Sequence, residues 1–137
     1  MKNRRGSVLL LSVIISGLLL ILGVFMLKIV YNYHASVKAI VEREQAFWLA
    51  EGALEAAKSK LAHNPSWFTD LIHYPDSDKE WLKNGAIGER LVLGGGELKM
   101  IRERGRQAVY GLGQKGNSVV ILKISASGGQ VNKWEEI

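Results

Sequence analysis

The pattern of apolar and polar positions passes through distinct regimes along this chain. From Val8 to Leu27 there is no charged residue, and only Ser12, Ser16, Gly17 and Gly23 interrupt the apolar run. At about 1.5 Å per residue such a run covers the roughly 30 Å hydrocarbon core of a bilayer. Beyond Lys28 the pattern becomes one-sided. Tyr33, Val37, Ile40, Phe47, Ala50, Leu54, Ala57 and Leu61 recur mostly three or four apart, with Glu44 the polar position in the stripe. No breaker separates the two patterns, so one helix is predicted from about Ser7 to His63, roughly 85 Å of it. Pro65 ends it, because proline cannot continue a helix and drives Asn64 toward extended geometry.

The next stretch reads as a connection. Residues 64–87 carry both prolines and the run DSDKEWLKNG, in which Ser77 and Glu80 have capping-box spacing for a short helix stopped by Asn84 and Gly85. From residue 88 to 137 the period falls to two. ERLVL, ELKMIR, AVYGL, SVVILKIS and QVNKWEEI are separated by GGG, RGR, GQKGN and SGG, which predicts four or five antiparallel strands. SVVILKIS is apolar on both faces, which suits a strand covered by the helix on one side and by a loop or partner on the other. Leu98 and Met100 alternating with Lys99 predict one buried face in the neighbouring strand, with the stripe from Tyr33 to Leu61 as its cover. The expected fold class is α+β, a long N-terminal helix packed on a small C-terminal antiparallel sheet.

Composition alters this picture at one end only. Lys2, Arg4 and Arg5 supply three of the five net positive charges, so the rest of the chain has no nucleic-acid footprint. Placed just before the apolar run, they put the N-terminus in the cytoplasm and everything after Lys28 across the membrane. The apolar run exceeds the 7 to 15 residues of a removable signal, and the residues after it offer only a poor small-residue cut site around Ala35. The absence of cysteine excludes disulfides and cysteine-based metal or nucleophile sites.

Four features occur together. They are a basic leader ending in glycine (Arg4, Arg5, Gly6), an apolar helix from Ser7, an amphipathic extension containing QAFWLAEGALEAA, and a C-terminal sheet. The combination resembles the type IV pilins and the pseudopilins of type II secretion over the whole chain, most specifically over residues 4–62. The resemblance implies a leader (1–6), a transmembrane half-helix (7–30), an amphipathic half-helix (31–63), a connecting loop (64–87) and a sheet (88–137). It further implies cleavage between Gly6 and Ser7 by a prepilin peptidase, methylation of the new amino terminus at Ser7, and partners among other minor and major pilins or pseudopilins. No cofactor and no catalytic role are implied.

The chain departs from that family's pattern at two positions. Ser7 stands where phenylalanine is usual, although the peptidase's demand falls mainly on the glycine. Leu11 stands where the family carries a glutamate that neutralises the amino terminus of a neighbouring subunit. A carboxylate in hydrocarbon is costly without its partner, so a subunit lacking it belongs at a filament tip. The X-type minor pilins and K-type minor pseudopilins are similar in this respect and in an AFxxAExxLExA-like segment, met here by Ala46, Phe47, Ala50, Glu51, Leu54, Glu55 and Ala57. The resemblance thus assigns Leu11, Phe47, Glu51 and Leu54 to assembly, and the chain to priming or capping a filament. As plain chemistry the same segment is a helix with exposed glutamates and buried Phe and Leu. The alternative function is a single-pass, signal-anchored envelope protein whose sheet domain binds a partner or ligand.

Other motifs have local explanations. GLGQKG, Gly111 to Gly116, has dinucleotide-site spacing but opens no helix, and reads as a hairpin loop. His34, His63 and His73 lack zinc-ligand spacing. Asp76, Asp78 and Glu80 alternate as calcium ligands do, but Trp81 occupies the position where a calcium loop needs glycine. Arg102, Arg104, Arg106 and Lys115 could form a basic rim on two adjacent turns, but Glu97 and Glu103 are interleaved with them, and the commoner meaning of such charges is protection of edge strands against aggregation rather than DNA binding. No serine, histidine and acid stand in a nucleophilic arrangement, so no enzyme is expected.

Overall fold

A computed structural model describes residues 4–74, 78–127 and 130–136, without the side chains of 4–5, 126–127 and 130–135. The chain divides into two compact units, Met1–Lys38 and Ala39–Ile137. Helix α1, Arg4–His63, contributes to both.

In the first unit every large apolar side chain from Val8 to Leu27 is exposed, and α1 is long and apolar enough there to cross a membrane. A helix satisfies its own backbone groups, which makes it one of the few structures that tolerate hydrocarbon. Ser12 fits the same rule, its hydroxyl donating back to the Leu9 carbonyl at 2.8 Å.

In the second unit the end of α1 covers a five-stranded sheet. The strands are β1 (Glu89–Leu93), β2 (Gly96–Arg102), β3 (Ala108–Lys115), β4 (Ser118–Ser127) and β5 (Gln130–Glu136). Each lies antiparallel beside its sequence neighbour, in the order β1-β2-β3-β4-β5. The β1–β2 turn needs left-handed backbone at two successive residues, and Gly94 and Gly95 supply it with φ of 57° and 71°.

Register assigns the faces. Leu98, Gly113 and Val120 form one row and Met100, Gly111 and Leu122 the next, and these rows meet Ala46, Ala50, Ala53, Leu54 and Ala57 of α1. A Cβ at Gly113 would lie 1.9 Å from the Ala46 carbonyl oxygen, and one at Gly111 would lie 2.4 Å from that of Ala50. Helix and strand are therefore in backbone contact. This corrects the hairpin-loop reading of GLGQKG, since Gly111 to Lys115 are strand and the glycines are there to admit the helix. It also corrects the stripe. Tyr33, Val37 and Ile40 are exposed, Phe47 and Leu61 are half-buried, and the buried row starts at Ala46.

The opposite face is covered as well. Ile101, Tyr110, Leu112 and Ile121 pack under Leu82 and Ala86 of the connection, so the doubly apolar β4 is covered by the helix and by a loop, as its sequence implies. The single buried face expected for β2 does not hold, because Lys99 is also buried. The short helical turn Trp81–Gly85 is wide, with the Ala86 N–H donating to the Trp81 carbonyl at 2.8 Å. Its cap is Asp78, whose carboxylate accepts the Trp81 N–H at 2.7 Å, while Glu80 makes no capping bond. Ser77, expected to cap it, lies outside the described residues.

Gly113→Ala must lift the helix from the sheet and should cost about 1–3 kcal/mol or more, the range for overpacking. Gly52 lies in the same helix with open space around it, and Gly52→Ala should stabilise by about 1 kcal/mol through helix propensity. Thermal unfolding of the full chain in detergent should show these opposite shifts.

Candidate functional site

The sequence-predicted residues fall into two groups. Gly6, Ser7 and Leu11 lie in the first unit, already helical, with Leu11 exposed and open space around Gly6. Phe47, Glu51 and Leu54 lie in the second and are brought together. With Glu55, Lys58, Leu122 and Ile124 they line a cleft of 240 Å³ between α1 and β4. Its walls are apolar and its mouth carries Glu51, exposed, and Glu55, paired with Lys58.

The basic rim is not formed. Lys115 is at the opposite end of β3 from the β2–β3 turn, and the arginines are tied to the chain. Arg102 donates to the carbonyls of Pro65 at 2.9 Å and Trp67 at 2.6 Å, and Arg104 stands over the Phe68 ring at 5.5 Å. Arg106 pairs with Glu103 at 3.1 Å and also donates to the His73 carbonyl at 3.0 Å. Their work is to hold residues 65–73 along the end of β2, where Asp70 and Glu103 form a parallel bridge.

Two buried acids complete this clamp, and sequence reasoning missed both as sites. The Asp70 carboxylate accepts the N–H groups of Ile87 at 2.6 Å and Gly88 at 3.0 Å, and the Thr69 hydroxyl at 2.7 Å. The Glu103 side chain is fully buried and accepts the His73 N–H at 2.9 Å. A buried loop has backbone donors that no strand will satisfy, and carboxylates are the side chains that can take several of them. His73 stacks on Trp81 at 4.5 Å, which joins the two ends of the connection. Of the three acids that alternate as calcium ligands do, Asp78 is engaged as a cap, Glu80 is exposed and Asp76 lies outside the described residues. Among the described residues no group of three or more histidines and acids is placed to hold a metal.

Among the described residues Lys99 is the remaining buried charge, 2 % exposed, with its ammonium donating to the Leu82 carbonyl at 3.3 Å. Burial first, and then Arg90, push its pKa below the ordinary 10.5, against the opposing pull of Asp70 and Glu97. The fold thus disfavours the ammonium relative to the unfolded chain. The unfolded state binds more protons over that interval, so stability rises with pH from the folded value up to 10.5. Lys99→Met should stabilise the chain at neutral pH and abolish that alkaline gain, as read from melting temperatures across pH. A variant that melts lower at neutral pH would show that the bond to Leu82 outweighs the desolvation.

Compared with models of known protein families, with curated proteins and with solved structures, the chain gives no match.

Proposed function

We propose that this chain is a minor pilin- or pseudopilin-like subunit that primes or caps assembly of a type IV pilus or type II secretion pseudopilus. The observation that carries this reading is one uninterrupted helix, Arg4–His63, whose start is apolar all round and whose end is the core of a sheet domain. An anchor that only tethers a domain has no need to continue into that domain's core. A subunit that must leave the bilayer with its domain attached does.

On this reading the N-terminus is cytoplasmic, the sheet lies outside the cytoplasmic membrane, and a prepilin peptidase cuts between Gly6 and Ser7. Phe47 and Glu51, which line one cleft, then belong to the surface that meets other subunits, while Leu54 is buried in the core and shapes that surface from beneath. Leu11 marks a subunit with none beyond it, placed at the filament tip.

Co-expression with an active prepilin peptidase should shorten the chain to an N-methylated Ser7, seen by intact mass, and Gly6→Val should block this without affecting membrane insertion. An unshortened chain beside an active peptidase would sink the proposal and leave the signal-anchored reading in its place.

The tip position has its own test. Sheared filaments should contain this chain at very few copies relative to the major subunit, by quantitative mass spectrometry. Leu11→Glu should be tolerated or mildly harmful, since Leu11 is the fourth residue of the apolar run, where a lone charge costs less than the about 2.5–3.5 kcal/mol it costs at the bilayer centre. Stoichiometric amounts in the shaft would remove the tip assignment.

A further inference from the structure

The open edge of β1 is guarded by charge at one end only. Exposed edges are normally guarded by outward charges, proline or bulges, because their unpaired N–H and C=O groups invite another strand. β1 ends the sheet order, contains no proline, and pairs with β2 without a register shift. Its two charges lie at one end and are paired while half-exposed, Glu89 with Lys60 of α1 and Arg90 with Glu97 of β2. What remains is Leu91, Val92 and Leu93, respectively 51 %, 75 % and 65 % exposed.

The apolar edge continues into a cleft. Leu91 and Leu93 pair with Leu98 and Gly96, on the face toward α1, where Gln45, Trp48, Leu49, Leu93, Gly94 and Lys115 line an open, shallow cleft of 330 Å³. Trp48 is 61 % exposed, a large indole left on the helix surface beside the strand. The ammonium of Lys115 donates to the Gly94 carbonyl at 2.5 Å and makes no ion pair among the described residues. The cleft therefore has apolar walls and a single uncompensated positive charge at one end.

We infer that the open edge of β1 docks an extended segment of a partner polypeptide, which adds a strand, seats a bulky apolar side chain beside Trp48 and Leu93, and sets a carboxylate against Lys115. Main-chain groups of an edge are complementary only to another main chain, and the cleft and cation supply side-chain selection. A second copy of this chain fits less well. Pairing two β1 strands about Val92 brings Gly94 and Gly95 of one opposite Arg90 and Glu89 of the other, and Glu89, held by Lys60, offers no free carboxylate to Lys115.

The test uses the full chain in detergent micelles and two synthetic peptides, acetyl-Thr-Val-Val-Phe-Val-Glu-amide and its reversed sequence, which cover both strand directions. One of them should bind and slow hydrogen exchange of the β1 amides. Trp48→Ala should weaken it about tenfold or more, as for a buried aromatic anchor. Exchanging the peptide glutamate for lysine should weaken it about two- to fivefold, and Lys115→Glu should recover that loss. N-methylation at alternate peptide residues should abolish binding, because main-chain donors are removed. Failure of both peptides to bind, or full binding by the N-methylated forms, overturns the inference. So does sedimentation showing dimers that Val92→Lys dissociates, since the occupant is then a second copy. Unchanged circular dichroism of the Trp48 and Lys115 variants separates each loss from unfolding.

Discussion

At Gly113 the helix and the sheet touch through their backbones, and much of the second unit follows from that contact. The Ala46 carbonyl and the Ala50 N–H occupy the space that any side chain at Gly113 would need. Ala46, Ala50, Ala53 and Ala57 give α1 a smooth side, and Gly111 and Gly113 give β3 a matching trough. Larger residues then fill the flanks, Leu98 and Met100 from β2 and Val120, Leu122 and Ile124 from β4. Close approach multiplies small dispersion terms rather than burying a few large side chains. A core of this kind tolerates little change in volume at its centre.

The second covered face follows from how apolar β3 and β4 are. Tyr110, Leu112 and Ile121 must be shielded, and among the described residues the connection after α1 does it, through Leu82 and Ala86. A connection lying on a sheet face carries buried N–H groups with no ladder to join. Asp70 and Glu103 meet that need, while Arg102 and Arg106 bind the carbonyls running the other way. Lys99 is the cost of the arrangement. Its place in β2 puts it under Leu82, with its ammonium on one carbonyl and its pKa driven down by burial.

The fold was legible where the pattern was periodic. All five strands lie where the alternation places them, and α1 ends before Pro65 as that residue demands. Apolar periodicity nevertheless misplaced the buried stripe. Hydrophobic counting weights Tyr33, Val37 and Ile40 above alanine, whereas close packing selects the small residues from Ala46 onward. The signal for that contact was present in Gly111 and Gly113, two glycines one strand period apart. A nucleotide-like letter pattern and hairpin-like spacing hid it. Asp70 had no such signal, because a lone aspartate in a loop acquires its role only when Ile87 and Gly88 arrive from a distant stretch of chain. The arginines were misread for a related reason. A row of like charges in sequence reads as a surface until the carbonyls of Pro65, Trp67 and His73 are in place to receive them.

Internal use of several charged groups shapes part of what the second unit shows to its surroundings. Arg102, Arg106, Asp70 and Glu103 are spent on the connection, and Glu89 and Arg90 on Lys60 and Glu97. The exposed residues include Trp48, Leu71, Tyr74, Ile87 and the whole run Leu91 to Leu93. Scattered exposed hydrophobics are ordinary, but a strand edge continuous with an exposed indole and an apolar cleft is a patch, and patches mark contact surfaces. Apolar groups left outside gain by being covered. An aliphatic strand edge and an indole turned outward in this way form a surface that gains by contact with another chain.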